Sequence, residues 1–109
     1  MTDLISDERC EKAMRYLATT DEEAAVATAK PKALEQYGKT VKAVGFLDAT
    51  GTVAEREAQS LLSDEYKAYL KEYEKAVMDS ERFANKRATE AGVREVWRSL
   101  QANRRQGAS

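Results

Sequence analysis

Two groups of basic side chains carry the clearest chemistry in the sequence. The first is Lys30, Lys32, Lys39 and Lys42, with Lys32 seven residues before Lys39 and Lys42 three after it. On a helix those intervals keep side chains on one side. The second is Arg82, Lys86, Arg87, Arg94, Arg98, Arg104 and Arg105. Within it Arg87, Arg94 and Arg98 share a face at intervals of seven and four, and Arg105 continues it. A guanidinium fork binds phosphate oxygens in pairs, and an ammonium neutralises them as a point charge. Lys32, Lys39, Lys42, Arg87, Arg94, Arg98 and Arg105 are therefore candidate nucleic-acid contacts. Tyr37, Phe46 and Trp97 lie near these bases in the chain and offer rings on which unpaired bases can stack. Tyr37 and Trp97 also fall on apolar stripes, so a packing role competes with stacking for both.

Other chemistries find little support. The chain has no histidine, which removes the commonest general base and metal ligand. Acids such as Glu72 and Glu74 sit at helix-surface spacings beside Lys71 and Lys75, as on an ordinary solvated face. No GxxxxGKS, GxGxxG, CxxC or HExxH pattern occurs. The expectation is no enzymatic activity, no catalytic residue, no metal and no cofactor. The single Cys10 excludes an internal disulfide and, among Ala13, Met14 and Leu17, reads as a small core residue. No apolar run is long enough to span a bilayer and no signal-peptide core is present, so a cytoplasmic protein is expected.

The elements that must position these residues are helices. Charged residues make up 34% and apolar ones 42% of 109 residues, with one proline and five glycines, which favours long helices over a thick core. The expected fold is all-α in a single domain, residues 1–109: a short N-terminal amphipathic helix, a helical hairpin and a long C-terminal helix. Residues 1–5 should fray. Ser6, followed by Asp7 and Glu8, starts a helix over residues 6–18. Thr20 and Glu23 form a capping-box pattern opening a helix over 21–48. Pro31 predicts a kink or break near residues 29–30, or the first turn of a new helix. Leu34, Tyr37, Val41 and Val44 follow at coiled-coil spacing, and Gly38 with Gly45, seven apart beside that seam, point to a closely approaching partner backbone or to a frayed helix end at Gly45. Residues 49–52 make the turn at Gly51, and Thr52 with Glu55 caps the long helix over 53–105. Pairing about residue 50 sets Val41 and Val44 near residues 56–60 and Leu34 near 66–68. Ser63, Asp64 and Glu65 give a second start signal that would separate residues 53–62, Gly92 offers a kink, and residues 106–109 read as a disordered tail.

The net charge of −1 conceals segregation. Residues 1–29 hold three bases and seven acids, and residues 48–81 four bases and nine acids. Residues 30–47 hold four bases and one acid, and residues 82–109 seven bases and two acids. Such segments serve either a polyanion partner or mutual neutralisation between helices or subunits. The stripe of Tyr66, Tyr69, Tyr73, Phe83, Trp97 and Leu100 on the long helix exceeds what the preceding helix can cover. A homo-oligomer contact through those six residues is expected.

The stretch KTVKAVGFLDATG at 39–51 ends a lysine-bearing helix, turns at glycine and enters a long charged helix. In this layout it resembles small phage recombination mediators of the UvsY type, over residues 34–100. The wider pattern of Tyr66, Tyr69, Tyr73, Arg87, Trp97 and Arg98 is similar to small phage proteins. The resemblance implies single-stranded DNA binding by the basic helix, matched here by Lys39 and Lys42, and oligomer assembly through helices. The arginine-rich C-terminal segment departs from that family.

Two functional readings follow. One is a phage accessory protein in the host cytoplasm that binds single-stranded DNA as a homo-oligomer and assists recombination. The alternative is a helical protein–protein interaction module, or an inhibitor of a host protein, without nucleic-acid binding; the expected protein partner is a recombination or host protein.

Overall fold

The computed structural model describes residues 4–108, and the protein is all-α. Four helices follow in order: α1 (Asp7–Thr19), α2 (Asp21–Asp48), α3 (Val53–Leu61) and α4 (Asp64–Ala108). The chain forms two compact units, residues 4–25 with 82–108 and residues 26–81, with α2 and α4 contributing to both.

In the first unit α1 packs on the C-terminal part of α4. Ser6 caps α1, its hydroxyl accepting from the Arg9 N–H at 3.1 Å. Two small side chains, Cys10 and Ala13, are the buried apolar residues of α1, and small residues let helix backbones approach closely. Tyr16 stacks on Phe83 with ring centroids 6.5 Å apart, and the Lys86 ammonium lies 4.7 Å from the Tyr16 centroid.

The second unit is the hairpin. Gly51 takes φ +114°, the left-handed conformation that glycine adopts without a Cβ clash. The turn is held by Gln59, whose side-chain amide donates to the Thr50 carbonyl at 2.7 Å, and by Arg56, donating to the Gly51 carbonyl at 3.1 Å. Thr52 accepts from the Glu55 N–H at 3.2 Å and donates its hydroxyl to the Glu55 carboxylate. The expected close approach of a partner backbone occurs at Gly45, whereas at Gly38 the neighbour is a side chain. A Cβ on Gly38 would strike the hydroxyl end of Tyr69, with Cε2 at 2.8 Å, and one on Gly45 would lie 3.2 Å from the Ser60 Cα. Ser60 is buried and donates to the Lys42 carbonyl at 2.7 Å, pinning the register. Tyr69 is nearly buried among Tyr37, Tyr66 and Tyr73 at centroid distances of 5.7–6.3 Å. Burial, with smaller contributions from Tyr73, Tyr66 and Glu35, raises its phenol pKa.

Three expectations are corrected, on Pro31, the hairpin register and the C-terminal tail, and one of two alternatives for the long helix is selected. Helix α2 runs unbroken through Pro31, because a single missing hydrogen bond is outweighed by 28 residues of otherwise regular helix. The stretch 53–105 is interrupted where the second start signal at Ser63, Asp64 and Glu65 places the interruption. It breaks at Leu62 and Ser63, where Ser63 donates to the Ser60 carbonyl at 2.8 Å and accepts from the Tyr66 N–H at 3.2 Å. The pairing is displaced along the hairpin: Gly45 meets Ser60 and Gly38 meets Tyr69, whereas pairing about residue 50 sets Leu34 near 66–68. Finally, α4 passes Gly92 and extends through residues 106–108, which were expected to be disordered. The start of α2 is where Thr20 places it, but the Thr20 hydroxyl donates to the Tyr16 carbonyl at 2.6 Å. Residues 1–3 and Ser109, included in the fraying and tail expectations, lie outside the described residues.

Candidate nucleic-acid interface

The seven-residue repeat of Lys32, Lys39 and Phe46 sets one row along α2, about 10.5 Å between successive members. Lys42 lies beside this row, its ammonium 5.6 Å from the Tyr66 centroid. Lys30, Lys32, Lys39 and Lys42 are all exposed, and none forms an ion pair with another of the described residues. Glu35 stands beside the row on α2, and Glu57 of α3 borders the hollow lined by Lys42 and Phe46, so Lys32, Lys39, Lys42 and Arg56 outnumber the acids that flank them. Arg56 reaches across the hairpin and places its guanidinium 5.8 Å from the Phe46 centroid. The face thus combines uncommitted cations with a partly exposed ring, the elements of a single-strand platform. Sequence reasoning missed Arg56 because it stands in an acidic segment. The only available signal was its distance from the turn, which folds it back toward Phe46.

The arginine group is arranged differently. Arg87 donates to the Leu17 carbonyl at 3.1 Å, to the Thr20 hydroxyl at 2.5 Å and to Asp21 at 2.6 Å. It therefore closes the C-terminus of α1, where helix carbonyls lack backbone partners. Thr19, donating to the Arg15 carbonyl at 2.8 Å, completes that closure. Arg94 and Arg98 share Glu95 at 3.4 Å each, long contacts on a half-exposed surface. The Arg94 Nε is buried without a partner. Arg105 is exposed. The helix does set Arg87, Arg94, Arg98 and Arg105 on one side, but only the last three present a substantially open guanidinium.

The six residues expected at an oligomer contact are largely engaged within the chain. Tyr66, Tyr69 and Tyr73 form the hairpin's aromatic cluster, and Phe83 stacks on Tyr16. Trp97 donates its indole N–H to Asp7 at 2.8 Å, and Leu100 is half-buried. Exposed apolar side chains occur on α2, where Val26, Tyr37, Val44 and Leu47 are each more than half exposed, and also around α3 at Val53 and Leu62. The single seam read through residues 34, 37, 41 and 44 has divided. Leu34 and Val41 are half-buried beside Gly38 and Gly45, while Tyr37 and Val44 face outward.

One ion pair in the first unit carries a pH dependence. Arg9 makes a two-pronged contact with Glu90 at 2.7 and 2.9 Å. The hydrogen bond from Arg9 lowers the Glu90 pKa below the usual carboxylate range, and that from Glu90 raises Arg9. Stability from a depressed carboxylate is present above its unfolded pKa and is lost as pH falls through the folded value. The Arg9 share is lost only as pH rises through an already alkaline range. Acidification below the carboxylate range should weaken α1 docking, and Glu90→Gln should flatten that dependence. Urea denaturation at neutral and acid pH, followed by Trp97 fluorescence, measures both.

Among the described residues no helix is long and apolar enough to cross a membrane, and no group of three His, Cys, Asp or Glu side chains is placed to hold a metal ion. No family model, curated protein or solved structure matches the chain.

Proposed function

We propose that the protein binds single-stranded DNA through the lysine face of α2 and, as a homo-oligomer, assists recombination, as a phage accessory protein acting in the host cytoplasm. The observation that carries this reading is the state of Lys32, Lys39 and Lys42, exposed and without an acid partner while Arg87 is committed to α1. The recombination role follows from the resemblance of residues 39–51 to the basic helix and glycine turn of the UvsY-type mediators. The site needs no metal or cofactor, and we read the protein as non-enzymatic.

Replacing Lys32 and Lys39 together by glutamine tests the site. With labelled oligonucleotide at about 50 mM salt, affinity should fall. The log–log salt dependence should become shallower by roughly 1.4 per copy bound, the share of two phosphate contacts on a single strand. Unchanged affinity and slope would move the contact to Arg94, Arg98 and Arg105.

The exposed apolar strip on α2 favours a second reading, a helical interaction module or an inhibitor of a host protein. Co-purification with a protein partner together with indifference to DNA would select it.

A further inference from the structure

We propose that two copies of the chain pair antiparallel through the exposed strip of α2, joining their lysine faces into one anion-binding surface. The pairing stands on its own observations; the anion-binding half rests on the reading above.

The strip has the spacing of a two-stranded coiled coil. Val26, Lys30, Ala33, Tyr37, Thr40, Val44 and Leu47 follow at intervals of four, three, four, three, four and three, and all are exposed. It extends about 32 Å. Gly38 and Gly45 direct α3 and α4 to the neighbouring edge of α2; Tyr37 touches Tyr69 at the border, and the strip otherwise stays exposed. A groove of about 490 Å³ runs beside it, bordered by Tyr37, Thr40, Val44, Asp48, Gln59 and Glu65. The opposite flank carries Ala29, Gln36 and Ala43, so no charge there opposes a second helix.

Charge and size specify the second copy and its direction. A parallel pair would set Lys30 against Lys30 and Tyr37 against Tyr37. An antiparallel pair centred between residues 38 and 39 sets Tyr37 against Thr40 and Val44 against Ala33, large against small. It also brings Lys30 to Leu47 and Asp48, unlike charges at both ends of the strip. The two-fold axis of that pair is perpendicular to the plane of the helices, so equivalent flanks face the same way. Lys32, Lys39 and Phe46 lie beyond the Ala29, Gln36 and Ala43 flank. Both copies of that row therefore share one face, and its two lysines become four, with a Lys42 beside each row.

Light scattering of the DNA-free chain should give twice the 12.2 kDa chain mass at micromolar concentration. Val44→Asp, at an exposed position, should return it to a single chain with unchanged helical circular dichroism. Lys30→Asp should weaken pairing, and adding Asp48→Lys should restore it. In a Cys10→Ala background, Ala33→Cys mixed with Val44→Cys should form a mixed disulfide, whereas Ala33→Cys alone should not cross-link. A single-chain mass for the unaltered protein, or an undiminished pair with Val44→Asp, overturns the pairing. Cross-linking by Ala33→Cys alone overturns its direction. A pair indifferent to single-stranded DNA removes the nucleic-acid reading and leaves the pairing standing. A single chain that binds DNA does the reverse.

Discussion

Arg87→Ala should cost about 2–3 kcal/mol, the range for hydrogen bonds from a charged donor to part-buried acceptors. The loss arises at the end of α1, where Arg87 satisfies the Leu17 carbonyl and the buried Thr20 hydroxyl. Its contact with Asp21 adds little, because the Asp21 side chain is 75% exposed and solvent screens the pair. Arg87→Lys should recover only part of the loss, since an ammonium cannot hold three acceptors in the same fixed directions. Urea denaturation reports the stability. Anisotropy of labelled DNA, measured where the variant remains folded, should show affinity within about twofold of the parent, as expected for a residue making no phosphate contact. A variant of normal stability that lost DNA binding would return Arg87 to the interface and contradict its role as a helix closure.

Gly38→Leu should destabilise the hairpin by about 1–3 kcal/mol, the usual cost of overfilling a packed contact. Leucine favours the helix over glycine by close to 1 kcal/mol, so a net loss would have to come from the collision. Tyr69 cannot swing aside freely, because Tyr37, Tyr66 and Tyr73 pack around it. Combining Gly38→Leu with Tyr69→Ala should cost less than the sum of the two single changes, because the second removes the group that the first strikes. Additive losses would show that Gly38 and Tyr69 do not share the contact.

The two changes separate what the sequence makes readable from what it does not. Gly38 was legible, because two glycines seven apart in a helix require a local reason. Ser6, Gly51 and Thr52 were legible for the same kind of reason, since each satisfies a backbone demand within a few residues. Arg87 was not. Its acceptors lie 66–70 residues away, and nothing in a basic cluster states which members will find such partners. Trp97 and Asp7 are separated by 90 residues and were obscured in the same way. Pro31 misled in the opposite direction, through a real local penalty outvoted by the helix on either side of it. The α2 seam was visible but undivided. Only the position of Tyr69 and Ser60 against the glycines decides which edge is covered and which remains open.

The candidate site follows this division. Lys32, Lys39 and Lys42 were found because helical spacing alone groups them, and their exposure agrees with that grouping. Arg56 joined them only through the hairpin, and Arg87 left the group through tertiary contacts. The resulting candidate site is smaller than the sequence implied, one face of α2 joined by Arg56 of α3.

The salt dependence of single-stranded DNA binding tests this claim most directly. A paired protein neutralising six phosphates should give a log–log slope of about −4, and a single chain with three lysines about −2. No detectable binding at about 50 mM salt would contradict the account.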